Sequence, residues 1–206
     1  SSRPFWIRPI PPPARSRPWA RHRGDPTGYA REVLGSALTD DQGKILNAAL
    51  LPPNKVHVDS GHSTGKTYLA ALLVNYMFDS YEKCAIITTA PKFEHVTNIL
   101  WGEIRLQRAK IRNRFPDYPM PFVGPRAPEM RTNDDHFAIG LTADRGEAFQ
   151  GRHHERMLFI MDESEGLVQQ YFTATTSMFQ PGGKHIWLSI CNPTTLSSPV
   201  YLETRK

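Results

Sequence analysis

The sequence predicts a single α/β domain built on a mostly parallel β-sheet covered by helices on both faces. Three observations predict it. Short, unbroken apolar runs recur along the chain, alternating with helical stretches. No apolar run reaches 18 residues, so nothing reads as a membrane span or a signal peptide. The first run leads into a loop rich in glycine and hydroxyls, SGHSTGKT at 60–67, which opens a helix. At 206 residues the chain is long enough to bury a core of ordinary size.

Residues 1–27 read as a flexible arm and residues 28–206 as the domain. Positions 1–23 hold six arginines, six prolines and no acid, against a net charge of +5 for the whole chain. The remainder is therefore near −1, and the basic character belongs to the arm. Such a segment is expected to stay extended. It reads equally as an arm that binds nucleic acid or a partner and as a solvated linker.

Order is expected from about Pro26. A short helix over 29–34 precedes Thr39, which suits an N-cap for a helix over 40–50 that Pro52-Pro53 terminates. A strand over 56–59 enters the glycine-rich loop, and a helix follows from Lys66. Residues 83–89 read as a buried strand, followed by Ala90-Pro91 and a helix over about 92–110. That helix ends in a basic stretch of Arg105, Arg108, Lys110, Arg112 and Arg114. A proline-rich connection over 115–128 leads to strands over 129–132 and 136–142. The run 157–161 ends in Asp162-Glu163, a helix over 166–179 stops at Pro181-Gly182-Gly183, and the run 185–191 ends in Asn192-Pro193-Thr194. Cys84 and Cys191 lie inside apolar runs without a metal-ligand spacing, and read as core thiols in a reducing cytoplasm.

In a parallel sheet, ligands bind beyond the carboxyl ends of the strands. SGHSTGKT between a strand and a helix is there a phosphate cradle: Ser60, Gly61, His62, Ser63, Thr64 and Gly65 offer backbone amides, and the helix start adds its positive end. Lys66 would reach the β- and γ-phosphates of a nucleoside triphosphate, and the Thr67 hydroxyl would hold Mg²⁺. The usual first glycine is Ser60 here. An acid at the tip of a buried strand holds the hydrated Mg²⁺ through Asp162, and Glu163 beside it deprotonates the attacking water. Asn192 reads either as a γ-phosphate sensor or as a turn residue before proline, and Gln42 either as an adenine reader or as an exposed helix residue.

Taken in order, LTDDQGKIL (38–46), VDSGHSTGKTYLAA (58–71), ITTAPKFEHVTNILWGEI (87–104), AFQGRHHERMLFIMDESEG (148–166) and WLSICNPTTLSSPVY (187–201) resemble the ATPase domain of phage large terminase subunits. The resemblance implies a P-loop NTPase of the additional-strand, catalytic-glutamate type, using ATP and Mg²⁺ to drive double-stranded DNA into a capsid. It matches Gln42 to the adenine-reading glutamine, and Lys66, Thr67, Asp162 and Glu163 to the phosphate, metal and catalytic residues. Ser189, Asn192 and Thr194 match the segment that couples hydrolysis to movement. It further implies a ring of identical subunits on a capsid portal, a small terminase subunit as partner, no membrane, and a place in the host cytoplasm at the procapsid.

Many relatives carry arginine early in the phosphate loop where this chain has His62, so an arginine from elsewhere is expected to act on the γ-phosphate. Arg145 and Arg152, flanking AFQG, are the candidates, each otherwise a solvated loop charge. The family continues into a nuclease domain, and the chain stops at Lys206, as an ATPase fragment of a longer protein would. A helicase-like nucleic-acid-remodelling ATPase, or a nucleotide-binding module without turnover, shares the same core residues.

Overall fold

The computed structural model describes residues 18–61, 64–118, 120–121, 123–124, 127–142, 154–192 and 198–204. Six strands form one sheet: β1 (Lys55–Asp59), β2 (Cys84–Ala90), β3 (Glu129–Asn133), β4 (His136–Thr142), β5 (Met157–Met161) and β6 (His185–Cys191). Their order is β1-β6-β5-β2-β4-β3. All neighbours run parallel except the β3–β4 hairpin at one edge. The expected fold class is borne out: β6, last in sequence, inserts between the strand that feeds the phosphate loop and the strand that ends in Asp162-Glu163. This is the additional strand of the expected type.

Why the central strands read as unbroken apolar runs follows from their two packed faces. Ile86, Leu158, Ile160, Ile186, Leu188 and Ile190 enter one core, while Ile87, Met157, Phe159, Met161, Trp187 and Cys191 enter the other. The first core is covered by α1 (Pro26–Tyr29, continuing as a wider turn over Ala30–Leu34), α2 (Asp40–Ala49), α3 (Lys66–Ser80) and α4 (Trp101–Arg114, preceded by a wide turn over His95–Leu100). The second is covered by α5 (Gln169–Met178) and a short α6 (Pro199–Thr204). Thr39 caps α2 in a full capping box with Gln42.

One expectation is corrected. The packed domain begins earlier than Pro26: a short 3₁₀ turn, Pro18–His22, lies against it, with Trp19 only 3% exposed. Trp19 meets the rings of Phe115 and Tyr118 edge-on at 4.6 and 5.4 Å. An aromatic anchor thus outweighs the arginines and prolines around it, and the part of the expected arm over 18–27 is domain; residues 1–17 lie outside the described residues. The basic stretch on α4 is partly buried. Arg108 is 4% exposed and donates to Asp79 at 2.7 Å, and Asp79 also accepts from the Tyr29 hydroxyl at 2.6 Å.

Candidate active site

The carboxyl ends of β1, β6 and β5 lie side by side, and the cavity there, about 280 Å³, is lined by Lys66, Thr67, Asp162, Glu163 and Asn192 among others. Five residues nominated from three distant segments thus meet in one place. His62, Ser63, Arg145, Arg152 and Thr194 lie outside the described residues.

The loop closes on itself before α3. Ser60 Oγ and Thr64 Oγ1 are 2.7 Å apart, and Thr64 donates to the Gly61 carbonyl at 3.2 Å. Gly65 takes the left-handed conformation at φ 79°, ψ 20° that starts the helix. A Cβ there would also lie 2.6 Å from Gln42 Nε2. Gln42 therefore reaches the phosphate loop, and its oxygen accepts from the Thr39 backbone N–H at 3.1 Å. Its Nε2 is the part of the amide turned toward the phosphate loop, and its oxygen keeps a second lone pair.

Lys66 folds back over the loop. Its ammonium donates to the carbonyls of Ser60 and Gly61, the latter at 2.8 Å, and to Asn192 Oδ1. Three neutral acceptors therefore surround a full positive charge, and anionic phosphate oxygens are stronger partners for it. The donor set fits a triphosphate. Asn192, at the tip of β6, is joined directly to Lys66.

Asp162 follows the fully buried strand β5 and is itself 6% exposed. Burial pushes its carboxyl up to about 6, against the opposing pull of the Glu163 backbone N–H, which donates to it at 3.1 Å. A desolvated carboxyl across the cavity from the Thr67 hydroxyl is what a divalent cation stabilises in its charged form, so this pair fits Mg²⁺.

Glu163 sits at φ 49°, ψ 42°, a left-handed backbone that costs a non-glycine residue roughly 1–2 kcal/mol. The turn is held from below by Ser164, whose buried hydroxyl donates to the Ile190 carbonyl at 3.1 Å. The Glu163 carboxylate is half exposed and lies 2.5 Å from His95 Nδ1. Sequence reasoning missed His95. It stands 68 positions away, in the segment after Ala90-Pro91, and only the pairing of β2 with β5 brings the two together.

No protein-family model matches the chain. Among curated proteins it is similar to one named "Probable terminase, large subunit" from Enterobacteria phage P7, 24% identical over 186 residues. The match covers 88% of this chain, which spans 37% of that protein's length. Among solved structures it is similar to the large terminase ATPase domain of Thermus phage P74-26, with a TM-score of 0.61 and 15% identity, covering 82% of this chain and 71% of that one. The large terminase of a thermophilic bacteriophage in complex with ADP matches with a TM-score of 0.59 and 15% identity, covering 81% of this chain and 42% of that one. The bacteriophage HK97 large terminase matches with a TM-score of 0.59 and 14% identity, over 82% and 36%. The resemblance read in the sequence is borne out: the chain has the fold of a phage large-terminase ATPase domain.

Proposed function

We propose that the chain hydrolyses ATP as the motor domain of a large terminase subunit and so drives double-stranded viral DNA into a capsid. The observation that carries this reading is the convergence of Lys66, Thr67, Asp162, Glu163 and Asn192 on one cavity at the strand tips. The curated relative's name and the terminase structures with the same fold support it.

Lys66 exchanges its carbonyl partners for β- and γ-phosphate oxygens, and that exchange releases Asn192 Oδ1 from the ammonium. Asn192 is then placed to orient the attacking water or the departing phosphate. Mg²⁺, held through Thr67 and Asp162, would neutralise charge on the phosphoryl oxygens. Glu163 accepts the proton of the attacking water. Gln42 would read the base from α2, where its neighbours Thr39 and Gly43 line a cavity of about 840 Å³.

Arg145 and Arg152 are proposed as the arginines that complete the site, one of them reaching across from a neighbouring subunit of a homo-oligomeric ring on the capsid portal. Double-stranded DNA and a small terminase subunit are the further partners, and the host cytoplasm, at the procapsid, is the place of action. Among the described residues no helix is long and apolar enough to cross a membrane. Steady-state ATPase activity that requires Mg²⁺ and rises when the protein assembles with portal and DNA tests the reading. A protein that binds ATP yet never turns it over under those conditions contradicts it.

A further inference from the structure

The phosphate loop is entered between two side-chain ladders on the α5 side of the sheet. Parallel pairing sets His57 opposite Ser189 and Asp59 opposite Cys191, so all four residues share one face at the ends of β1 and β6. His57 Nε2 lies 2.7 Å from Asp59 Oδ1, and Cys191 Sγ lies 3.0 Å from that oxygen and 3.7 Å from the same nitrogen. One atom from each residue falls within 4.8 Å of the others. His57 Nδ1 is 2.9 Å from Ser189 Oγ, and that hydroxyl also reaches the Val56 carbonyl. A hydroxyl that donates to the carbonyl accepts from Nδ1–H, which turns Nε2 toward the carboxylate and the thiol. A single nitrogen faces both partners, so the group is not a thiol–imidazole–carboxylate relay, in which each partner meets a different ring nitrogen.

We propose that His57, Asp59 and Cys191 bind one divalent cation of the zinc class. Thiolate, imidazole and carboxylate form a mixed set that suits such an ion and not Mg²⁺, and the Ser189 contact supplies the outer-shell bond that fixes a ligating imidazole. Tetrahedral zinc sets ligand atoms roughly 3.3–3.6 Å apart. The nitrogen–oxygen and sulfur–oxygen edges therefore open by several tenths of an ångström on binding, a change the part-exposed Asp59 side chain can supply. The Tyr201 hydroxyl donates to the other Asp59 oxygen at 3.2 Å and steadies the carboxylate, and a water completes the shell. The ion would tie the end of β1 to the end of β6. Asp59 immediately precedes Ser60 and Cys191 immediately precedes Asn192, and both of those residues hold Lys66. A bound ion would thus set the spacing of the phosphate loop from the residue that senses its ligand.

Metal-stripped protein titrated with Co²⁺ in the absence of nucleotide tests this. The expected result is one Co²⁺ per chain with near-ultraviolet thiolate-to-cobalt charge-transfer absorption, displaced by Zn²⁺ and unchanged by a large excess of Mg²⁺. Cys191→Ser abolishes the band, Cys84→Ser at the other buried thiol retains it, and His57→Gln weakens cobalt binding at least ~10-fold. Absence of the band in the parent protein, or its survival in Cys191→Ser, overturns the proposal. No turnover is read, so the outcome is independent of whether the chain hydrolyses ATP.

Discussion

His95 Nδ1 lies 2.5 Å from Glu163 Oε2, so the residue assigned as general base is held by a side chain from the opposite side of β5. One carboxylate oxygen is engaged and the other remains for the water. Placement by a fixed neighbour matters because small misplacements of a reacting group cost up to ~10²-fold in rate. His95→Ala is expected to lower kcat about tenfold, a loss of ~1.4 kcal/mol of transition-state stabilisation, with ATP affinity unchanged. His95→Gln, which keeps a donor, restores part of it. Single-turnover ATPase rates beside nucleotide titrations check this, and a parental kcat in His95→Ala contradicts it.

The buried ion pair between α3 and α4 makes a stability prediction. Asp79→Ala leaves the Arg108 guanidinium buried without its counter-charge and removes the partner of the Tyr29 hydroxyl. Breaking such a pair typically costs about 3–5 kcal/mol, whereas replacing both charges by apolar groups costs far less. Asp79→Ala should therefore unfold at much lower urea than the parent, and Asp79→Leu combined with Arg108→Met should recover most of the loss.

These two relationships mark what the sequence carried and what it did not. All six strands were legible; the central ones stand out as apolar runs because both faces of the sheet are covered there, whereas the edge strand β3 (Glu129–Asn133) buries only Met130. The strand tips were legible too, since the phosphate loop and Asp162-Glu163 are local patterns. His95 was hidden, because its role depends on the pairing of strands far apart in sequence. Arg108 was hidden inside a basic run whose other members meet solvent or backbone carbonyls. Asp79 was the available signal: an acid within the largely apolar, buried part of α3 demands a partner. Trp19 was misjudged by composition, and the short α6 carried no periodic signal.

The arm makes a binding prediction. Residues 1–17 keep four arginines (Arg3, Arg8, Arg15 and Arg17) beyond the packed Trp19. If they contact phosphates, deleting 1–17 should weaken double-stranded DNA binding regardless of sequence and reduce the salt slope of log K by up to about 4. An unchanged slope makes the segment a linker.

Completion of the site from a neighbouring subunit makes a mixing prediction. Subunits carrying Glu163→Gln keep their arginines, while subunits lacking both Arg145 and Arg152 keep their base. Each population alone should be nearly inactive, since an arginine at the γ-phosphate contributes roughly 10³–10⁵ in rate. Mixed on the portal, they should regain turnover at the sites with intact Glu163. A double arginine variant that assembles and hydrolyses ATP like the parent places the finger elsewhere.

The central claim is that one cavity binds ATP through Lys66 and hydrolyses it through Glu163, and the two steps separate in a paired measurement of nucleotide affinity and turnover. Glu163→Gln preserves shape and the neighbouring Asp162, so it should bind ATP with parental affinity and hydrolyse it at least ~100-fold more slowly. Lys66→Ala loses its charge-assisted contact to phosphate, so it should lose affinity first. Parental hydrolysis by Glu163→Gln would contradict the account.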